Sequence, residues 1–406
     1  MRNTNKKGFT IVELVIVVAV IAILAAVLIP TFSGIIKKAQ LSSDQQAVRN
    51  LNTALATSVD KPESLRELAD ILKEAGYNTK DGFNSLLSDY AIFWYNTDKY
   101  NVIVLATIAD GTIYAPAEDE EMVAAFKADY AVNANIYNLK DLAAEVFVGD
   151  KHYATLAEAV ATELAEKDEV TIDLYNDAYF AETVTVTSGK TLNLNLNGHT
   201  ISSVFTKEEA SALIDNKGTL VIDDKTGTGK ITTAATNPDK QDVPGYASNT
   251  ITNTGTLILE NGIIENTSEG TCCCAVDNLG SGHFTMNGGT LISHNSYAIR
   301  QYNTTASKDN VVEINGGKIE HNNKTTVIWQ QDGTNEGMGG TLSITGGYID
   351  GTILLGWYGT SSDYNVTIEN CTVDTIWIYE NCSIPESNIS ISNVTYLNGG
   401  LKDDRK

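Results

Sequence analysis

Positive charge is what this 406-residue sequence has least of: 28 Lys and Arg stand against 51 Asp and Glu, a net charge of −23. Arg is confined to Arg2, Arg49, Arg66, Arg300 and Arg405. Phosphate backbones are held by clustered cations, so the balance excludes nucleic acid as the natural partner. Cysteine is scarce as well. Five Cys in a chain of this length do not make a disulfide framework, and an odd number leaves at least one thiol unpaired. Apolar residues are not lacking: at 42%, with 19% charged, they exclude a disordered chain. The length implies two or three domains and a sizeable core.

Charge is missing altogether from Leu14 to Ile36. At about 1.5 Å per residue this run can cross a hydrocarbon layer of about 30 Å. Arg2, Lys6 and Lys7 precede it, which puts the N-terminus in the cytoplasm and the bulk outside. An ordinary signal anchor does not explain two features. Glu13 stands in the apolar entry, where a carboxylate is expensive and is usually kept for a function. No small-x-small cleavage site closes the run, which continues through Pro30 to Lys37 and Lys38. Pro30 removes a backbone hydrogen bond and should kink or locally melt the helix. Beyond it Ile35, Ile36, Ala39, Ala47, Val48, Leu51 and Leu55 recur at roughly helical spacing, so the second half should leave the membrane and lie on a globular domain.

The stretch Lys6-Lys7-Gly8-Phe9-Thr10-Ile11-Val12-Glu13-Leu14 resembles the class III signal of type IV pilins and type II secretion pseudopilins. The resemblance covers about the first 60 residues. It implies cleavage by a prepilin peptidase after Gly8 and methylation of the new N-terminal residue, Phe9. It also implies that Glu13 and Pro30 occupy positions where that family commonly places these residue types, for pilus assembly. A carboxylate in a low-dielectric bundle needs a counter-charge, and the new α-ammonium of a neighbouring subunit can supply one.

From 61 to 147 the pattern is that of a small α+β head. Pro62 opens a helix with Leu65, Leu68, Ala69 and Leu72 on one face and Gly76 as its stop. Ala91 to Tyr95, Val102 to Ile108 and Thr112 to Tyr114 read as strands; Ala117 to Tyr130 and Leu139 to Phe147 read as helices. The aromatic run Ile92-Phe93-Trp94-Tyr95 reads as core. No catalytic pattern occurs here.

From 148 the texture changes. A helix over Thr155 to Glu166 leads into strands, and an apolar-x-apolar-x-x-Gly unit then recurs. Its ends fall at 262, 289, 317 and 347, with weaker copies at 371 and 394, giving steps of 27, 28, 30, 24 and 23. Such a period marks a solenoid with one coil per repeat. A second column confirms the register: Leu213-Ile214-Asp215-Asn216, Thr250-Ile251-Thr252-Asn253, Ala275-Val276-Asp277-Asn278, Ala298-Ile299-Arg300-Gln301 and Val327-Ile328-Trp329-Gln330. The second residue should point inward, and the closing amides can hydrogen-bond from coil to coil. The region resembles right-handed parallel β-helix proteins of the pectate-lyase-like class, with Thr191 to Gly198 as an early coil. The alternatives are a left-handed β-helix, whose hexapeptide period is not seen, and a β-sandwich, which predicts no columns.

Enzymes of that class use paired Asp with His and Lys or Arg, or a calcium cluster with a basic residue. Here Asp223-Asp224 is the one adjacent pair of Asp in the coils and sits in a turn beside Lys225. His199, His283, His294 and His321 have no metal-ligand spacing. Thr226-Gly227-Thr228-Gly229-Lys230 resembles a phosphate loop only loosely and reads as a turn. No catalytic residue, cofactor or metal site is assigned. Cys272, Cys273 and Cys274 read as small residues filling a coil, and Cys371 with Cys382 as thiols close enough in sequence to pair.

The residues after the inward position form an expected outward stripe: Asp215, Thr252, Asp277, Arg300, Trp329, Leu355 and Trp377, with Trp357, Tyr358 and Tyr379 nearby. Arg300, Trp329, Trp357 and Trp377 are the ligand residues assigned. Exposed aromatics stack on sugar rings; the competing reading is cover by a C-terminal segment or another subunit. The expected organisation is multidomain, α+β and all-β: a leader (1–8), a pilin-type helix (9–60), a head (61–147), a right-handed parallel β-helix (148–400) and a charged tail (401–406). The expected role is a minor-pilin-like surface protein displaying a β-helix for adhesion or glycan binding. Its partners are prepilin peptidase, other pilin subunits, the inner-membrane assembly platform and a membrane contacted through 14–36. A pseudopilin of a secretion or DNA-uptake machine and a pilin-anchored polysaccharide lyase or hydrolase are the alternatives.

Overall fold

The computed structural model describes residues 11–59, 61–80, 82–144, 146–149, 151–180, 182–205, 212–235, 248–268, 273–303, 308–322, 326–331, 338–357 and 363–405. The chain divides into two compact units, one ending at Ala143 and one beginning at Ala144.

In the first unit, helix α1 (Ile11–Thr57) runs on through Pro30 as one unbroken helix. Its second half does pack: Val48, Leu51, Ala54 and Leu55 are buried, whereas Ile35 and Ile36 stay exposed. Two polar side chains fix its position. Asn52 accepts from the Ile103 N–H (2.8 Å) and donates to the Ile103 carbonyl (2.7 Å), capturing one residue of the neighbouring strand. Asp44, 3% exposed, accepts from Ser85 Oγ (2.6 Å) and the Leu86 N–H (3.0 Å). Helix α2 (Leu65–Glu74) starts at an N-cap, Ser64, whose hydroxyl accepts from the Glu67 N–H while Glu67 accepts from the Glu63 N–H. Strands β1 (Tyr90–Asn96), β2 (Asn101–Thr107) and β3 (Ile113–Ala115), helix α3 (Glu120–Val132) and strand β4 (Ile136–Asn138) complete the unit. The antiparallel sheet has the order β3-β2-β1-β4. Ile92, Phe93, Trp94 and Tyr95 are all buried; Phe93 and Tyr95 form one core with Phe126 and Met122 of α3.

The helix expected over Leu139 to Phe147 is not formed. A five-residue 3₁₀ helix ends at Ala143, and strand β5 (Val146–Val148) follows as part of the second unit. A short apolar run fits either state, and pairing with strands β6 (Lys151–Tyr153) and β7 (Glu169–Leu174) decides it. Between them lies helix α4 (Leu156–Glu166), N-capped by Thr155.

Beyond β7 the chain is a parallel β-solenoid with three columns of strands. The first runs from β7 to Ile389–Ser392, the second starts at Ala178–Tyr179 and the third at Val184–Val186. The second and third join where one long strand, Tyr348–Trp357, pairs in both. In-register apolar ladders fill the interior, such as Leu220, Leu257, Phe284, Val312, Leu342 and Val366, in one core from Val146 to Ile384. The repeated Gly has a backbone cause: Gly262, Gly289, Gly317 and Gly347 all have positive φ, and a Cβ at Gly289 would strike the Gly262 carbonyl. In the last two turns Asn370 and Asn393 take this conformation, one residue before the positions expected from the repeat. The final strand, Thr395–Asp403, continues the solenoid into the residues expected to form a charged tail. Cys371 carries a free thiol, so it is not paired with Cys382; Cys273 and Cys274 are buried, and Cys272 lies outside the described residues.

Candidate functional site

Two regions of this molecule present side chains that the packing of a soluble domain does not require. The first is the N-terminal half of α1. Gly8 and Phe9 lie outside the described residues. Glu13 stands in the first helical turn, exposed, where the helix dipole favours an acid. Downstream of it the apolar side chains are bare: Ile29 is 67% and Phe32 57% exposed. The segment is long and apolar enough to cross a membrane. Left in water, a surface of this extent is unfavourable at about 25 cal/mol per Å², so it calls for lipid or other protein around it.

The second region is the outer side of the solenoid's third column. The strand register places Asp215, Thr252, Asp277, Arg300, Trp329, Leu354, Trp377 and Lys402 in one row. Leu354 replaces the expected Leu355. The pairing of 326–331 with 352–357 shifts by one residue between Thr326 and Ile328, and Leu355 lies in the core, in register with Gln330 and Ile378. Trp357 belongs to the adjacent row, paired with Gln331.

The row is less open than the sequence implies. Asp277 faces outward yet is 1% exposed, because Arg300 closes over it through Nε (2.7 Å) and Nη2 (2.5 Å) and Asn249 Nδ2 donates from the other side (2.9 Å). The aromatics are half-buried and paired. Trp329 lies 4.5 Å from Tyr297 between ring centroids, Trp357 lies 4.1 Å from Tyr379, and Trp377 meets Tyr379 edge-on at 5.9 Å. Lys402 sits 4.1 Å over the Trp377 ring, and the indole N–H donates to Asp404 (2.9 Å). Tyr358 lies outside the described residues. Arg300 and Trp329 are therefore neighbours in the middle of the row, Trp377 lies two strands beyond Trp329, and Trp357 stands in the adjacent row. Tyr297, Lys402 and Asp404 were missed because each joins the group only through the fold; the in-column register was the available signal.

Titratable groups elsewhere are held in networks. The Glu265 carboxylate accepts from Lys230 Nζ (2.9 Å), Thr232 Oγ1 (3.1 Å) and His294 Nε2 (3.0 Å), while Asn322 approaches His294 Nδ1 (2.8 Å). Burial pushes Glu265 up, but Lys230 and His294 outweigh it and hold the carboxyl below its ordinary range. Asp224 behaves alike. Burial raises it, and the N–H groups of Gly229 and Gly198 with the Thr226 hydroxyl bring it lower than usual, so the 223–230 turn is organised around this acid. His321 is pushed down by burial and by neighbouring His294, against a hydrogen bond to the backbone of Ser296 that pulls it up. Among the described residues no three His, Cys, Asp or Glu converge as metal ligands.

Comparison with known proteins bears on the first region. Residues 3–29 match the family described as "Prokaryotic N-terminal methylation motif". The chain is 44% identical over 54 residues to a type IV major fimbrial protein FimA of Dichelobacter nodosus, covering 13% of this chain and 35% of that protein. It is 42% identical over 53 residues to a fimbrial protein of Moraxella nonliquefaciens, covering 13% and 34%. The chain thus spans about a third of the length of the curated relatives it matches. No solved structure gives a significant match.

Proposed function

We propose that this chain is a type IV pilin-like subunit, cut by a prepilin peptidase after Gly8, N-methylated at Phe9 and carried into or to the tip of a filament. One observation carries this reading: the methylation motif runs directly into a helix whose first half is apolar and bare and whose second half anchors a folded head. Residues 14–36 hold the precursor in the membrane with the N-terminus cytoplasmic, since Arg2, Lys6 and Lys7 lie before the span. After processing the same helix packs among other pilin subunits on an inner-membrane assembly platform. Mass spectrometry of sheared filaments tests this. A peptide beginning at N-methylated Phe9 is expected there, and an intact Met1 to Gly8 leader on all of the protein would refute it.

In this reading the solenoid is the displayed part, and its third column serves adhesion or glycan binding rather than catalysis. Support comes from the aromatic rows: ring pairs fix one another's orientation, so their half-exposed edges are offered without loss of side-chain freedom. The acids that a sugar-cleaving reaction would need are engaged instead, Asp277 by Arg300 and Asp224 by backbone donors. Joint Trp329→Ala and Trp377→Ala substitution should lower retention on immobilised glycans severalfold; unchanged retention would remove the glycan from the proposal and leave assembly standing.

A further inference from the structure

Five Asn residues of the solenoid are each followed by Gly: Asn197, Asn261, Asn287, Asn315 and Asn398. Such a pair can react with itself, because a Gly nitrogen has no neighbouring side chain to keep it from the Asn carboxamide. The reaction needs that nitrogen beside the carboxamide, and a carboxamide that is free to be attacked. Four of the five are tied away from their own Gly. Asn287 Nδ2 donates to both oxygens of Glu260 (3.1 Å each), and Gly288 N–H donates to the Leu259 carbonyl (3.4 Å). Asn315 Nδ2 donates to Asn287 Oδ1 (2.9 Å), and Thr345 Oγ1 donates to Asn315 Oδ1 (3.1 Å). Asn398 Nδ2 donates to Asp374 (2.7 Å). Asn197 Nδ2 donates to the Leu174 carbonyl (3.1 Å), while Asp224 accepts the Gly198 N–H (2.7 Å) and so occupies the attacking nitrogen. Attack at any of these would first break such bonds.

Asn261 stands one step off this outward ladder. Leu259 pairs with Met286, so Glu260, not Asn261, lies beside Asn287. Among the described residues the Asn261 side chain makes one hydrogen bond, accepting at Oδ1 from the Gly262 N–H (2.9 Å). That contact holds the attacking nitrogen beside the carboxamide and polarises its carbonyl. We propose that Asn261 is a site of self-modification. The Gly262 nitrogen bonds to Asn261 Cγ, the Cγ–Nδ2 bond breaks, and ammonia leaves carrying the proton that the nitrogen gave up. The product is a cyclic imide, which water opens at either carbonyl to aspartate or isoaspartate; water is the only co-reactant. The new carboxylate adjoins Glu260 and the turn organised by Asp224, since a Cβ at Gly262 would lie 3.2 Å from Asp224 Cβ. Isoaspartate also lengthens the backbone at a corner where a Cβ at Gly289 would lie 2.4 Å from the Gly262 carbonyl oxygen. Conversion therefore adds charge and slack to a tightly stacked corner of the solenoid.

The test uses the full chain in detergent, kept warm at mildly alkaline pH and sampled over time by peptide mapping and mass spectrometry. In the folded protein the peptide holding Asn261 should convert severalfold faster than those holding the other four residues, and both aspartate and isoaspartate should be found at 261. In urea, which releases every tie, the five should convert at similar rates. Asn261→Gln, whose longer side chain does not close the same five-membered ring, should leave position 261 unchanged over the same period. Conversion of Asn261 no faster than of the tied residues in the folded chain would overturn the proposal. So would the same ranking of the five in folded and urea-treated protein, since the order would then come from the local sequence and not from the hydrogen bonds. An Asn261 still intact in the folded chain when the urea sample has converted would show that the turn holds the two groups apart, and would overturn it as well.

Discussion

Glu163 of α4 has no exposed side-chain surface and meets three donors: Lys151 Nζ at 2.9 Å, Lys167 Nζ at 2.7 Å and the Tyr153 hydroxyl. The hydrogen bonds from Lys167, Tyr153 and Lys151 outweigh burial and hold its pKa down at about 2, from an ordinary 4.5. A depressed acid favours the folded state above its unfolded pKa, and that contribution is lost as pH falls through the folded value. Stability from this site should therefore be complete above about pH 4.5 and disappear towards pH 2. Glu163→Gln keeps the shape and removes the charge. At pH 7 it should cost about 1.5–3 kcal/mol, the usual worth of hydrogen bonds to a charged group. Thermal melts at pH 7, 4 and 2.5 check this: the gap between wild type and variant should narrow as the pH falls. A constant gap would mean that packing, not ionisation, sets the effect.

Among elements, the third column is held by its inner amides. Asn216 Nδ2 donates to Asn253 Oδ1 (2.7 Å), and Asn253 Nδ2 to Asn278 Oδ1 (2.7 Å), all three residues fully buried. The ladder changes at Gln301, whose longer side chain reaches the Thr341 carbonyl (2.9 Å), and Gln330 accepts from the Gly356 N–H (2.8 Å). Asn253→Ala strands a buried donor on one side and a buried acceptor on the other. It should cost about 2–4 kcal/mol, read as a lower urea midpoint for the solenoid. This ladder was legible in the sequence because side chains alternate with a period of two and amides recur at one point in each coil. The left-handed turn was legible because Gly, and in two coils Asn, tolerates positive φ. Leu355 was misplaced because one bulged residue reverses the faces of a strand, and nothing in Thr352 to Leu355 marks the bulge. The region after Leu139 was misread because a few apolar residues suit a helix or a strand until tertiary pairing chooses. Pairings such as Tyr297 with Trp329, or Lys402 with Trp377, arise between coils and left no trace within either segment.

For the whole molecule the side chain on which the proposed function turns is Glu13, which in that proposal ties an apolar span to assembly. At the centre of a membrane-spanning helix a carboxylate costs about 2.5–3.5 kcal/mol on insertion scales, less near the start of the helix and more where no water or partner reaches it. That cost is acceptable if the precursor stays at the membrane surface and the acid later meets the ammonium of a processed neighbour, which only methylated or unmethylated Phe9, freed by cleavage, can present. Processing and assembly then separate by one substitution. Glu13→Ala leaves Gly8 and Phe9 intact, so the leader should be removed as in wild type and the protein should reach the membrane in equal amount. Its share in sheared filaments should fall at least tenfold, because the pairing that draws each new subunit into register is gone. Quantifying the processed N-terminal peptide in membrane and filament fractions distinguishes the cases. Loss from filaments with normal processing places Glu13 in assembly; equal incorporation would show that the acid is not the contact that recruits this chain; and loss of processing would make it part of what the peptidase reads.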